Sequence, residues 1–448
     1  MSTHTNIHSR DAIPAEAMLA PTTQALDEKA TKDTSSDTDH TSPDDWEYPD
    51  GGLRAWLVVL GCFMFSCTCM GFGLIWGALQ DYYHTHMFPD VSLSILSLVG
   101  GVQNCTMGVT SYIAGGIGDR YGYKKMIALS SVLAYTFLLA SAFSTKLYHL
   151  FLFQGVLLGF SQGLGMPLYM ALPSQWFLRK RGFATGLAVA GSGIGAGIGS
   201  IIIRVLLTRL GLRKAMLVYS GMHGAVWIIA FILLKERPMT GLRRKKRWLP
   251  ERVNGQFYSV ALSICVGLFG YLAPFYFITT YTKQFVPSIN PDSLLVVGPL
   301  VVMNLCAGIG RISAGSLADY LGPINVFFLS FFLGGVFQIL VWTFSKTYAS
   351  IMVFAALFGL VGCWFISLLP VVCAELFGVE GLSTITGFMI LMNAPGQLAG
   401  SSISGAILTR SGGQWWAVTL YSGGIMILGA CCILYARFSK EKRLFAAV

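Results

Sequence analysis

Apolar residues in this chain come in long runs separated by short polar punctuation. The runs cover residues 55–79, 93–117, 126–143, 150–172, 182–207 and 215–234. After a basic stretch come 255–281, 294–318, 324–344, 351–373, 382–408 and 415–436. A run of about 20 apolar residues crosses a bilayer as a helix, because only then is every backbone group paired within the segment. The pattern predicts twelve transmembrane helices in an all-α integral membrane protein. The chain divides into a tail (1–50), a six-helix bundle (51–235), a basic linker (236–254), a second six-helix bundle (255–436) and a short C-terminal tail (437–448).

The second bundle repeats the first. Asn104, Gly108, Gly115, Asp119 and Gly122 recur as Asn304, Gly308, Gly315, Asp319 and Gly322, each displaced by 200 residues, and Phe177 recurs as Phe377. Parallel six-helix repeats are the mark of carriers whose halves rock about a central site.

Composition and charge fix the setting. Hydrophobic residues make up 54% of the 448, charged residues only 12%, and the mean hydropathy is +0.63, so lipid rather than water solvates most of the chain. Residues 1–50 hold eleven acids and three bases and too little apolar surface to offset chain entropy, which predicts a disordered acidic leader. The loops after even-numbered helices, the linker and the C-terminal tail hold eighteen Lys and Arg residues, against seven in the other loops. The positive-inside rule therefore places both termini in the cytoplasm, with the cell membrane as the expected location. The linker's GLRRKKRW is read as a topogenic cytoplasmic loop, with no nucleic-acid partner implied. The ten cysteines lie in apolar runs without metal-ligand spacing, so no metal or cofactor is expected. No obligate protein partner is inferred; the lipid bilayer and a small-molecule solute are the expected partners.

Charge within the membrane region concentrates in one glycine-framed stretch, GGIGDRYGYKK, which spans Gly115, Asp119, Arg120, Gly122, Lys124 and Lys125. Its glycines permit close helix approach and a tight turn. An acid here suits the positive end of a helix dipole in the opposite half. The expectation is that Asp119 meets the start of helix 11 near Ser383, and Asp319 the start of helix 5 near Arg181 and Gly182. Each such latch would be worth ~1–2 kcal/mol.

Ionisable groups inside spans are functional hypotheses by default. Arg311 lies about two turns inside helix 8 and is the leading solute-binding candidate, with Glu375 as the nearest acid by depth. Arg204, near the outer end of helix 5, is expected to snorkel and to be structural. His223 is read as a packed histidine. Asn104, Asn304, Gln162, Tyr169, Trp364, Asn393 and Gln397 are further candidates for solute contact. GSGIGAGIGS in helix 5 imitates a nucleotide-binding loop, but within a span it is read as a helix-packing surface.

GGIGDRYGYKK resembles the loop 2–3 signature of the major facilitator superfamily. PDGGLRAW, with Asp50, Gly51 and Gly52, resembles the Asp-Gly-Gly signature of the monocarboxylate porter family. WFLRKRGFATGLAVAGSGIG resembles that family's second signature. The acidic tail and short linker look like its fungal branch, whose members handle monocarboxylates, riboflavin or secondary metabolites. The resemblance makes Arg311 the substrate-anion arginine. It also implies an acid where this chain has Ala307 and a lysine where it has Gly73, so both partners of the family's proton relay are absent and a larger substrate becomes more plausible.

The function expected is secondary transport of a small, carboxylate-bearing or otherwise anionic metabolite by rocker-switch alternating access, including efflux of a fungal secondary metabolite. The alternatives are import of a monocarboxylate or a vitamin such as riboflavin, and a nutrient sensor that does not transport. A membrane enzyme would need paired His or acidic residues at membrane depth, which the spans almost entirely lack, so no enzymatic activity is expected.

Overall fold

Every apolar run becomes helical in the computed structural model. The structure describes residues 50–177, 179–237, 254–291, 293–377 and 382–442, with all side chains among them except those of residues 119–121, 181, 319 and 382–384. The acidic leader up to residue 49, most of the linker and residues 443–448 lie outside the described residues.

Twelve membrane segments follow one another. The first half comprises α1 (53–82), α2 (Leu93–Tyr121), α3 (Tyr123–Ser141), α4 (Leu147–Gln175), α5 (181–210) and α6 (212–233). The second comprises α7 (Gly255–Phe285), α8 (Leu294–Leu321), α9 (Pro323–Trp342), α10 (Tyr348–Phe377), α11 (382–410) and α12 (Trp415–Lys440). Among the described residues ten continuous helices are long and apolar enough to span a membrane, and two local features account for the difference from twelve. Gly182–Leu233 is a single run of 52 residues, about 80 Å of helix against a hydrocarbon core of about 30 Å. Gly211, at φ 69° and ψ 171°, breaks that run into α5 and α6. In α11 the helix is interrupted at Asn393, leaving pieces of 11 and 17 residues, Leu382–Met392 and Ala394–Arg410, each short of a span on its own.

Small residues set how closely the helices approach. An ideal Cβ at Gly191 would lie 2.2 Å from the Phe63 carbonyl oxygen, and one at Gly195 2.5 Å from Cys67 Cα, both on α1. At Gly193 the same atom would lie 2.4 Å from the Gly308 nitrogen, and at Gly197 2.7 Å from Leu305, both on α8. The glycines of GSGIGAGIGS thus press one side of α5 against its own half and another against the opposite half, which is the work of a packing surface. On the other flank α2 runs along α11: a Cβ at Gly101 would meet the Leu398 carbonyl oxygen at 2.5 Å, and one at Gly108 the Ile390 carbonyl oxygen at 3.3 Å. The two halves are therefore held together by α5–α8 and α2–α11, with a central space between them.

Candidate functional site

The central space is a cavity with about 660 Å³ free of atoms, open solvent included, lined by α1, α2 and α4 of the first half and α7, α8, α10 and α11 of the second. Arg311, Asn104, Asn393 and Gln397 line it. The other four candidates, Gln162, Tyr169, Asn304 and Trp364, do not. Gln162 accepts a hydrogen bond from Gln103 Nε2 at 2.8 Å, a tie between α4 and α2. Tyr169 is fully buried against Phe65, ring centroids 5.3 Å apart. Gln162 is spent on that tie, whereas the Tyr169 hydroxyl lies near Arg311 without lining the cavity; α4 is apolar and buried on almost every side, so no polar face of the sequence marked where the cavity lies.

Arg311 is fully buried. One terminal nitrogen donates to Ser192 Oγ on α5, and that hydroxyl in turn donates to the Val189 carbonyl at 2.6 Å. Tyr271 and Cys363, in mutual contact at 3.3 Å, face the guanidinium. Nε and the second terminal nitrogen of Arg311 make no hydrogen bond of good geometry among the described residues, the Tyr271 hydroxyl and Cys363 thiol being the weak acceptors nearby, and no described carboxylate pairs with the guanidinium. Glu375, expected as its partner, instead pairs with Lys440 at the end of α12, with its side chain half exposed. The helical extension of α12 through Lys440 brings that lysine to the end of α10, where Glu375 lies outside the cavity lining. The cavity therefore carries a fixed positive charge with two open donors, an arrangement that stabilises an anion.

The repeated asparagines each reach into the opposite half. Asn104 Nδ2 donates to Tyr276 Oη on α7 at 3.1 Å and to the Gly100 carbonyl at 3.0 Å. Asn304 Nδ2 donates to the Leu74 carbonyl on α1 at 3.5 Å. Gly73 adjoins the first of these bridges, since a Cβ there would lie 3.1 Å from Asn104 Oδ1.

A second charged group lies at the end of the bundle away from the chain termini. Asp81, near the end of α1, accepts from Arg204 on α5 at 2.9 Å and pairs with Lys283 on α7 at 2.7 Å. Arg204 also donates to the Pro291 carbonyl beyond α7. The expected snorkelling of Arg204 does not occur: the residue is 1% exposed and clasps the acid beside it. Because Lys283 and Pro291 belong to the second half, this clasp spans the halves and closes the far end. It is reinforced where Gly77 meets α7, a Cβ there lying 2.3 Å from the Phe275 carbonyl oxygen. Sequence reading passed over Asp81, which stands two residues beyond the first apolar run and so did not register as an acid within a span.

At the terminal end, the two family-like signatures touch. Asp50 donates its N–H to the Trp176 carbonyl at 3.1 Å and accepts the Arg179 N–H at 2.9 Å. Gly52 takes φ 85°, and Trp56 packs on Phe177 with ring centroids 4.8 Å apart. Gly122 and Gly322 turn the chain at φ 96° and 84°, conformations that favour glycine. Glu236, at the start of the linker, accepts from the Lys124 N–H at the start of α3. Lys124 lies over Phe231, 4.6 Å from the ring centroid, and Lys125 is exposed. A Cβ at Gly315 would lie 3.4 Å from the Gly182 carbonyl oxygen, which brings the end of α8 to the start of α5. The side chains of Asp119, Arg120, Asp319, Arg181 and Ser383, and with them the expected latches, lie outside the described residues. His223 stands between Tyr219 and Trp227, ring centroids 4.3 and 5.6 Å away, as a packed histidine.

Comparison with known proteins agrees with this architecture. The sequence profile described as Major Facilitator Superfamily matches residues 58–313, more than half of the chain. The aspyridones efflux protein of Emericella nidulans is 29% identical over 434 residues, 93% of this chain and 86% of that one. The agnestins efflux protein of Paecilomyces divaricatus is 28% identical over 451 residues, 98% of each. The crystal structure of the human organic anion transporter TETRAN superposes with a TM-score of 0.65 at 15% identity, covering 86% of this chain and 100% of that one. That likeness is one of fold. With twelve helical segments in two repeated halves and a profile match across most of the first, this multi-pass membrane protein belongs to the major facilitator superfamily.

Proposed function

We propose that the protein is a secondary transporter that carries an organic anion out of the cytoplasm across the cell membrane, with both of its own termini on the cytoplasmic side. The observation that carries the reading is Arg311, buried in the central cavity with no described carboxylate paired to it and two donors without a hydrogen bond of good geometry. A buried charge lacking a partner costs several kcal/mol, so an anion entering the cavity gains what the protein leaves unmade. Outward direction is supported by the two relatives named as efflux proteins, and cytoplasmic termini by the excess of bases on that side. The touching signatures at Asp50 and Arg179 support placement in the monocarboxylate porter family.

In this reading the bundles 51–235 and 255–436 are the two moving bodies. The clasp of Asp81, Arg204 and Lys283 closes the outer side, while Asp119 and Asp319 latch the cytoplasmic side. Opening one set while closing the other exposes Arg311 alternately. The test is retention of a panel of organic acids in cells making the protein, with surface abundance measured alongside. Cells with the wild type should lose one class of acid faster than cells without it, and Arg311→Gln should abolish that difference at normal abundance. Equal retention of every acid with and without the protein overturns the reading.

A further inference from the structure

The walls of the cavity are chemically unequal. The first half contributes Met70 from α1, Met107 from α2, and Met166 and Met170 from α4. Its one amide, Asn104, is already engaged with Tyr276. The second half contributes no methionine to the lining; it supplies Arg311, Tyr271, Asn393 and Gln397, with Phe365 among its apolar members. Met166 and Met170, four residues apart, share one face of α4. Gly73 and Gly108 keep the α1 and α2 parts of this wall low beside Met70 and Met107.

Methionine often serves as a gap-filler in cores, but these four converge on one space from three helices and face an opposite wall of different composition. Thioether side chains with three rotatable bonds are polarizable and remould around apolar bodies of different outline. The facing wall is stiff by contrast: Phe365 is wedged between Phe331 and Tyr271, with ring centroids 4.7 and 4.9 Å away. The charge, too, is held in place, by Ser192.

We infer that the transported solute is an amphipathic acid, its anionic head on Arg311 and its flat, apolar body between the methionine wall of the first half and Phe365 of the second. The inference rests on the reading of Arg311 as the anion anchor. It specifies a substrate class: conjugated or aromatic acids larger than simple monocarboxylates, accepted over a range of shapes because the methionines adapt.

The test uses methanesulfonate, benzenesulfonate and naphthalene-2-sulfonate, which stay charged at every working pH and differ only in apolar body. Binding is measured by titration of the purified full-length protein in lipid nanodiscs, with empty nanodiscs as the blank. Affinity should rise by about a hundredfold from methane- to naphthalene-sulfonate, as expected for the added apolar surface. Replacing Met166→Gln with Met170→Gln should compress that ratio to roughly tenfold or less, since an amide of similar length loses the apolar contact. Met166→Leu with Met170→Leu should preserve most of the ratio and serves as the folding control. Arg311→Gln should weaken benzene- and naphthalene-sulfonate by similar factors. Arg311-dependent binding that is indifferent to ring number, or a ratio untouched by the glutamine pair, overturns the amphipathic inference and leaves the anion reading standing. If the glutamine pair does not fold, the wild-type ratio alone decides. Failure of all three sulfonates to bind, or binding indifferent to Arg311→Gln, overturns both.

Discussion

Arg204 on α5 and Arg311 on α8 are equally buried, 1% and 0% exposed, and each lies where the two halves meet. Arg204 has a carboxylate at 2.9 Å, a shared lysine on the far side of that carboxylate, and a backbone carbonyl from the opposite half. Arg311 has the Ser192 hydroxyl, two tyrosines and a thiol around it, no carboxylate among the described residues, and two donors without a hydrogen bond of good geometry. Burial of a charge therefore does not reveal its role. The partner does: a charge satisfied by the protein holds the structure together, and one left open by the protein awaits something else.

The contrast breaks most visibly at Asp81. Asp81→Asn strands Arg204 and should destabilise the protein by about 3–5 kcal/mol, as removal of one partner of a buried pair does. Thermal unfolding of purified protein reads this directly; an unchanged melting temperature would show that the clasp holds nothing. Gly73→Lys should act on the other arginine. It puts a second cation into the cavity of Arg311 and crowds Asn104, so transport should fall by roughly tenfold with folding intact. Improved uptake of lactate with protons in that variant would contradict the absence of the α1–α8 relay.

Smaller effects should separate the two ends. Lys283→Gln removes the only arm of the Asp81 ion pairs that comes from the second half among the described residues. Because that lysine is partly exposed, the loss should be about 1 kcal/mol. It should appear as severalfold faster labelling of a cysteine placed at Leu74 by an impermeant reagent added outside. Asp119→Asn and Asp319→Asn should do the converse, raising labelling from the cytoplasmic side about two- to fivefold, in line with a helix-terminus charge interaction. Labelling and transport unchanged in both variants removes the latches.

Much of the fold was legible because the bilayer requires continuous apolar helices, and the 200-residue repeat in the sequence ties Asn104 to Asn304. That the two asparagines cross to opposite halves was not legible, since a repeat gives equivalence and not packing. Arg311 stood out as a charge inside a span. Its surroundings did not, because Glu375 was placed by depth alone, whereas helix direction and the length of α12 give it to Lys440. That Tyr169 and Trp364 do not line the cavity was not legible for a related reason: helices apolar on nearly all sides carry no stripe to say which face meets it.

The most direct measurement is melting temperature and naphthalene-2-sulfonate affinity, taken together, on Arg311→Lys. Lysine keeps the charge but loses the planar fork of donors. If Arg311 is the anion anchor, affinity should weaken by about tenfold or more while the melting temperature stays at the wild-type value. A melting temperature lowered as in Asp81→Asn, with affinity unaltered, would make Arg311 a second Arg204 and contradict the proposed site.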